Sequence, residues 1–203
     1  MQTTKDYIRK LLLETAQKAF FEKGFKSVSM REISKLSGIG LSNIYNYFSC
    51  KDDIFVQIVT PAVRTFENML DEHHGRRGTD IMAMCDRDYF KYMVDEYTSF
   101  IHRHRDLLLL LLFRSQGSSL ENYKEEFARK STALVKEYFT LMKHKHPQLE
   151  TDISDFSIRM HTVWMFALFE ELLMRRVKPD EIEKVVTEYM TIEVAGWREL
   201  MKI

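Results

Sequence analysis

The stretch Ser29–Lys51, SMREISKLSGIGLSNIYNYFSCK, decides how this chain reads. Ser29 and Glu32 make the S-x-x-E pattern of a capping box, which starts a helix near Met30. Ile33 and Leu36 give that helix an inward face. Gly38 closes it, because glycine accepts the left-handed backbone that ends a helix. A second short helix is expected from about Leu41 to Phe48, with Ile44 and Phe48 inward and Ile39 filling the angle between the two. Leu41, Ser42, Asn43, Tyr45, Asn46 and Tyr47 are left for the outer face. An anchored helix with short polar groups outward suits the major groove of DNA. An asparagine amide can bond adenine bidentately, so Asn43 and Asn46 are the candidates for base reading. Tyr45, Tyr47 and Lys51 suit phosphates, which set position and not sequence. Arg31 lies in the first turn of the helix that would cross the DNA backbone, and the free N–H groups after Ser29 can receive a phosphate.

Upstream, Ile8, Leu12, Ala16, Ala19 and Phe20 recur at helical spacing, and Gly24 follows as a stop. Downstream, Lys51 opens a longer helix with Asp52 and Asp53 at the positive end of its dipole and Pro61 in its interior. The stretch HHGRRGT, residues 73–79, has two glycines and no apolar residue and reads as a loop. Beyond it the pattern stays helical: Tyr89–His102, a leucine-rich Asp106–Arg114, and a long helix opened by a second S-x-x-E at Ser118 and Glu121. Another is expected from Thr151 or Asp152 to about Arg176. A last one carries Pro179 at its first position. No strand alternation, internal repeat or low-complexity tract is present. The fold class read from this is all-α with about nine helices: a helix-turn-helix head at 1–50 and a helical bundle at 51–203.

Composition narrows the function. Lys plus Arg and Asp plus Glu balance at 30 each. Residues 1–60, however, hold nine basic against six acidic side chains, a net +3 that orients the head toward a polyanion. Cys50 and Cys85 form no paired motif, which fits reduced thiols and a cytoplasmic protein. The longest apolar run, Leu107–Phe113, is too short to span a bilayer. His102 with His104, and His144 with His146, are two apart, whereas ligands on one helix face sit three or four apart, so no metal site is expected. No nucleophile–base–acid order, P-loop or dinucleotide glycine pattern occurs, so neither catalysis nor a cofactor is expected.

The segment from about Leu12 to Ile54 resembles the DNA-binding head of the tetracycline-repressor (TetR) family of bacterial regulators. The matching pieces are Ala16 with Phe20, Glu22-Lys23-Gly24-Phe25, Ser29-Met30-Arg31-Glu32-Ile33, Gly38-Ile39, Ile44-Tyr45-Asn46-Tyr47-Phe48 and Lys51-Asp52, in order and without a gap. Three departures stand out: Gly40 where a capping serine is usual, Leu41 where a polar residue is frequent, and Ser34 and Ser37 in place of alanines. The resemblance implies an all-helical homodimer that binds a palindromic double-stranded DNA operator, most often as a repressor, and is released by a small-molecule effector. Ser29, Arg31, Gly40, Leu41, Ser42, Asn43, Tyr45, Asn46, Tyr47 and Lys51 then make up the DNA-binding set.

The body would hold an apolar or aromatic effector. The candidate pocket residues are Tyr89, Tyr92, Met93, Tyr97, Phe100, Phe113, Tyr123, Phe127, Met160 and Trp164. The segment Val163–Met174 is apolar nearly all round, so it is buried on more than one side. Trp164, Leu168, Leu172, Val186, Tyr189, Met190 and Trp197 are the candidates for a dimer interface. The competing reading is a helical protein-interaction module that does not touch DNA.

Overall fold

The structure is a computed structural model that describes residues 2–75 and 78–203. Arg76 and Arg77 of the expected 73–79 loop, and the side chain of Cys85, lie outside the described residues. The described chain forms eight α-helices and no strand: α1 (Gln2–Lys23), α2 (Met30–Ser37), α3 (Leu41–Ile44), α4 (Lys51–His74), α5 (Arg87–Phe113), α6 (Tyr123–Lys145), α7 (Asp155–Met174) and α8 (Pro179–Met201). Two compact units result. One takes residues 1–64 and 106–123; the other takes 65–105 and 124–203.

In the first unit α1 buries Leu12, Ala16, Ala19 and Phe20. Phe20, Phe25 and Phe55 meet with ring centroids 5.1–5.6 Å apart. Gly24 lets the chain turn with φ 76°, and the N–H of the next residue, Phe25, donates to the carbonyl of Arg114 at 2.9 Å. Buried leucines of the second half of α5, and the backbone carbonyl just after it, therefore belong to the same unit as the N-terminal helices.

In the second unit Phe66 is almost fully buried. Its ring lies 4.7–5.5 Å from those of Phe100, Phe127, Phe166 and Phe169. Four helices thus meet on one side chain. Two buried hydroxyls, Ser131 and Thr162, satisfy each other at 3.1 Å between α6 and α7.

Several expected boundaries shift, each for a local reason. The break expected between the Tyr89–His102 and Asp106–Arg114 helices falls within α5 at His104, whose backbone (φ −118°, ψ 17°) leaves the helical region. His73 and His74 are the last turn of α4 and not part of a loop. The second S-x-x-E does not cap a helix. The Glu121 carboxylate accepts from the Gly117 N–H at 2.8 Å, and α6 starts later, at Tyr123. The cap of α7 is Ser154, whose hydroxyl accepts from the Ser157 N–H, so that helix begins three residues after the expected Asp152. Pro179 holds the first turn of α8, as expected.

Because Phe66 joins four helices with no water to replace it, Phe66→Ala is expected to cost about 3–5 kcal/mol. Urea unfolding followed by far-UV circular dichroism measures it; a loss below about 1 kcal/mol would show that the cluster is not the centre of the second unit.

Candidate functional site

The helix-turn-helix is held by few groups. The Ser29 hydroxyl accepts from the Glu32 N–H at 3.2 Å. The Glu32 carboxylate does not return to Ser29; it pairs with Lys23 Nζ at 2.5 Å. Half of the capping box forms, and the other half ties α2 to the end of α1. Gly38 takes φ 71°, the left-handed cap that the turn requires. Ser34 and Ser37, the two departures from alanine, brace this turn. The Ser34 hydroxyl donates to the Ile39 carbonyl at 2.6 Å, and the Ser37 hydroxyl accepts from the Ile39 N–H at 3.2 Å. Sequence reading missed that role; the signal was a pair of serines flanking a capping glycine. Leu36, expected inward, is 57% exposed. Ile33 is the buried position of this eight-residue helix.

The regular part of α3 is four residues long, shorter than the expected Leu41–Phe48. Gly40 offers no side chain to cap it. After Ile44 the bonds tighten to the i−3 pattern, Asn46 N–H to Asn43 and Tyr47 N–H to Ile44, before Phe48 N–H returns to Ile44. Ile44 and Phe48 are at 0% and 1% exposure, and the Arg9 guanidinium lies over the Phe48 ring. On the opposite side Ser42, Asn43, Tyr45 and Asn46 are exposed, and Leu41 and Tyr47 are half-buried. Asn46 donates to Asn43 at 3.2 Å, so the two amides sit side by side on the outer surface. Ser29, Arg31 and Gly40 are exposed as well.

Lys51 stands apart from this set. Its ammonium donates to the carbonyls of Phe25 and Val28 at 2.8 and 2.7 Å and rests 4.0 Å above the Phe25 ring. Burial lowers its pKa. Two of its three N–H groups thus close the head, and one remains for a phosphate. Next to it, the Asp53 carboxylate accepts from the Ser49 N–H at 2.9 Å, fixing the step from Phe48 into α4.

The second unit holds a cavity of about 120 Å³ among α4, α5, α6, α7 and α8. Of the sequence-predicted pocket residues, Tyr89, Met93 and Tyr97 line it. Phe100, Tyr123 and Phe127 are core side chains elsewhere, while Tyr92, Met160 and Trp164 reach the surface. Phe113 is in the other unit and one-third exposed. The wall also includes residues that sequence reading passed over: His73, His74, Tyr138, His161 and Glu193. Histidine spacing was read only for metals, and among the described residues no cluster of His, Cys, Asp or Glu is placed to hold one. His73 bonds Tyr89 and, at 2.7 Å, Glu96. His161 pairs with Glu193, which is 7% exposed and also accepts from Trp197 Nε1 at 3.1 Å. His74 makes no hydrogen bond with any described residue. Burial, and then the charges of His161 and His73, push its pKa down to about 3.

On the outside of this unit α7 and α8 share an apolar surface of Phe156, Met160, Val163, Trp164, Ile192 and Leu200. Of the predicted interface residues, Trp164 lies on it, and Leu168 and Trp197 are half-buried. Leu172, Val186, Tyr189 and Met190 are buried within the chain's own core. No helix among the described residues is long and apolar enough to cross a membrane.

With this geometry in place, similarity to known proteins becomes informative. Residues 12–58, from α1 into α4, match the family model for bacterial regulatory proteins of the tetR family. The match covers the helix-turn-helix and its flanking helices, so the head of this chain is similar to that of tetR-family regulators. It is 34% identical over 64 residues to the HTH-type transcriptional regulator YhgD of Bacillus subtilis, which is 32% of this chain and 34% of that protein. An HTH-type transcriptional regulator of Haemophilus influenzae is 25% identical over 145 residues, 70% of this chain and 66% of its own length. The aligned region thus spans less than two thirds of either relative. The fold extends further than the sequence likeness. The fatty acid degradation regulator FadR of Bacillus halodurans superposes with a TM-score of 0.65 over 94% of this chain and 96% of its own at 16% identity. NalD of Pseudomonas aeruginosa, a repressor of a multidrug efflux pump, does so with a TM-score of 0.60 over 93% and 96% at 19% identity. The relatives whose sequences match are transcriptional regulators, not enzymes.

The half-buried His74 gives this chain a pH signature. Its folded pKa lies below the unfolded value of about 6.5, so the unfolded chain binds the extra proton and stability falls as pH drops through the window from about 6.5 toward 3. Between pH 7 and 5 the loss is about 2 kcal/mol, and His74→Leu is expected to abolish most of it. Urea titrations at both pH values read the difference; equal losses in the two proteins would contradict this.

Proposed function

We propose that the chain is a ligand-responsive DNA-binding transcriptional regulator that represses from a palindromic operator as a homodimer. One observation carries the reading: Ser42, Asn43, Tyr45 and Asn46 face outward on a helix whose Ile44 and Phe48 are fully buried. A helix anchored from behind and polar in front is what groove reading demands. Asn43 and Asn46 read base edges, while Leu41 and Ser42 meet the groove and an apolar group such as Leu41 suits a thymine methyl. Ser29, Gly40 and Met30 offer backbone or hydroxyl groups to phosphate, and Arg31, Tyr45 and Tyr47 hold the DNA backbone, joined by the remaining N–H of Lys51. Residues 1–50 do the reading, and 51–203 bind the effector and the second subunit.

The cavity supports an effector site because it is apolar, lined by aromatics and equipped with a few polar groups. Its wall includes His73 and His74, the end of the same helix whose first residue, Lys51, is tied to Phe25 and Val28. A ligand that displaces the end of α4 therefore acts on the element that fixes the head. The exposed apolar surface of α7 and α8 supports the dimer, since Trp164, Phe156 and Ile192 gain by leaving water together. That surface also lets the protein-interaction reading be weighed: as a dimer face it accounts for the exposed side chains without a foreign partner.

Binding to operator DNA, followed by fluorescence anisotropy, should weaken steeply with salt as phosphate counterions are released. Asn46→Ala should cost about 1–3 kcal/mol on the preferred sequence and relax base preference, whereas Arg31→Ala should weaken all sequences alike. Lys51→Ala is a poor probe of phosphate contact, because it also unties the head. Unchanged affinity in both the Asn46 and Arg31 variants would mean that this surface does not meet DNA. Light scattering tests the dimer separately: Trp164→Glu with Ile192→Glu is expected to give a folded monomer, and a persistent dimer would place the interface elsewhere.

A further inference from the structure

The polar groups of the cavity fall into two classes. The charged ones are already engaged by the chain: Glu193 accepts from Trp197 and pairs with His161, and His73 bonds Glu96 and Tyr89. Among the uncharged ones, Tyr138 donates to the Thr79 carbonyl at 2.7 Å and Tyr89 bonds His73, but three others stand apart. His74 has no hydrogen bond among the described residues. Tyr97 is buried and its hydroxyl has none either. The Tyr189 hydroxyl is buried with no partner at full hydrogen-bond geometry; burial, then Tyr97 and the nearby Glu193 carboxylate, raise its pKa. All three residues line the same space. A buried hydroxyl left unbonded is costly, and native proteins seldom keep one idle. Size adds a second constraint. The cavity is about 120 Å³, and an apolar cavity of about 150 Å³ accepts benzene.

Resting on the reading of this cavity as the effector site, we propose that it takes an uncharged, single-ring aromatic molecule with one neutral hydrogen-bonding group, of the phenol or aryl-ketone class, bound by His74, Tyr97 and Tyr189. The ring packs among Met93, Tyr138 and Met190. The hydroxyl or carbonyl of the ligand meets the three idle groups, since phenols and imidazole can each donate or accept. A cation has to displace His161 from Glu193. An anion finds an unpaired cation only at exposed Arg198, at the cavity's edge.

Isothermal titration calorimetry on the full chain without DNA tests this with four probes of one size: p-cresol, toluene, benzoate and benzylamine. The expected result is that p-cresol binds at least about tenfold more tightly than benzoate or benzylamine. Tyr97→Phe and Tyr189→Phe should each weaken p-cresol by about two- to tenfold and leave toluene unchanged. Both variants keep the ring, so circular dichroism should show the fold intact. Preference for benzoate, lost with Arg198→Gln, or for benzylamine, lost with Glu193→Gln, would overturn the proposal. So would equal effects of the tyrosine variants on p-cresol and toluene, or no binding by any probe. Since DNA is absent, these failures differ from failure of the effector reading, in which p-cresol binds but leaves operator affinity unchanged.

Discussion

A helix of four residues has no stability of its own. Nucleation costs more than so few backbone bonds return, and α3 lacks even a capping side chain at Gly40. It exists because Ile44 and Phe48 are driven into the head and because the residues on either side are pinned. Ser34 and Ser37 hold the turn before it. Asp53 and Lys51 hold the step after it. Every functional statement about the outer face depends on this packing from behind. If the apolar pair let go, the asparagines would have no fixed direction. The arrangement also explains why a lysine positioned like a phosphate ligand spends most of its donors inside. The ammonium replaces a missing cap as the fastening of the head.

The second unit meets a different constraint, which is how to keep polar groups within an apolar interior. The answer is pairing: Ser131 with Thr162, His161 with Glu193, and His73 with Glu96. Among the described residues, the Tyr189 hydroxyl stays unbonded beside the gap that the helices leave, and the Thr98 hydroxyl away from it. At the gap, polar side chains and empty space coincide, which supports the proposed binding role. An ordinary void is dry and lined by aliphatics; this one has tyrosines and a neutral imidazole in its wall.

Much of this was legible in the sequence. The all-helical class, Gly24 and Gly38 as stops, Pro179 as a helix start, and Ile44 and Phe48 as anchors follow from spacing and capping chemistry, which act locally. What escaped depended on tertiary context. The S-x-x-E at Ser118 had the right residues, yet Glu121 found the Gly117 N–H first. Aromatic side chains were named as pocket residues without a means to tell core from wall. Phe100 and Phe127 share spacing and chemistry with Tyr97, but of the three Tyr97 is the one that lines this cavity. The apolar run of α7 is spent unevenly: Leu172 is buried inside, while Trp164 stays exposed on the outer side. Periodicity gives a face, and the neighbouring helix decides which residues that face consumes.

The central claim is that the amides of Asn43 and Asn46 meet base edges. Operator duplexes in which single adenines are replaced by 7-deazaadenine test it most directly, because they delete one acceptor in the major groove and leave phosphates and shape intact. The account predicts a loss of about two- to tenfold at one or two positions in each half-site. It predicts no such loss for a chain carrying Asn43→Ala and Asn46→Ala. Tight binding that tolerates the replacement at every adenine would contradict it.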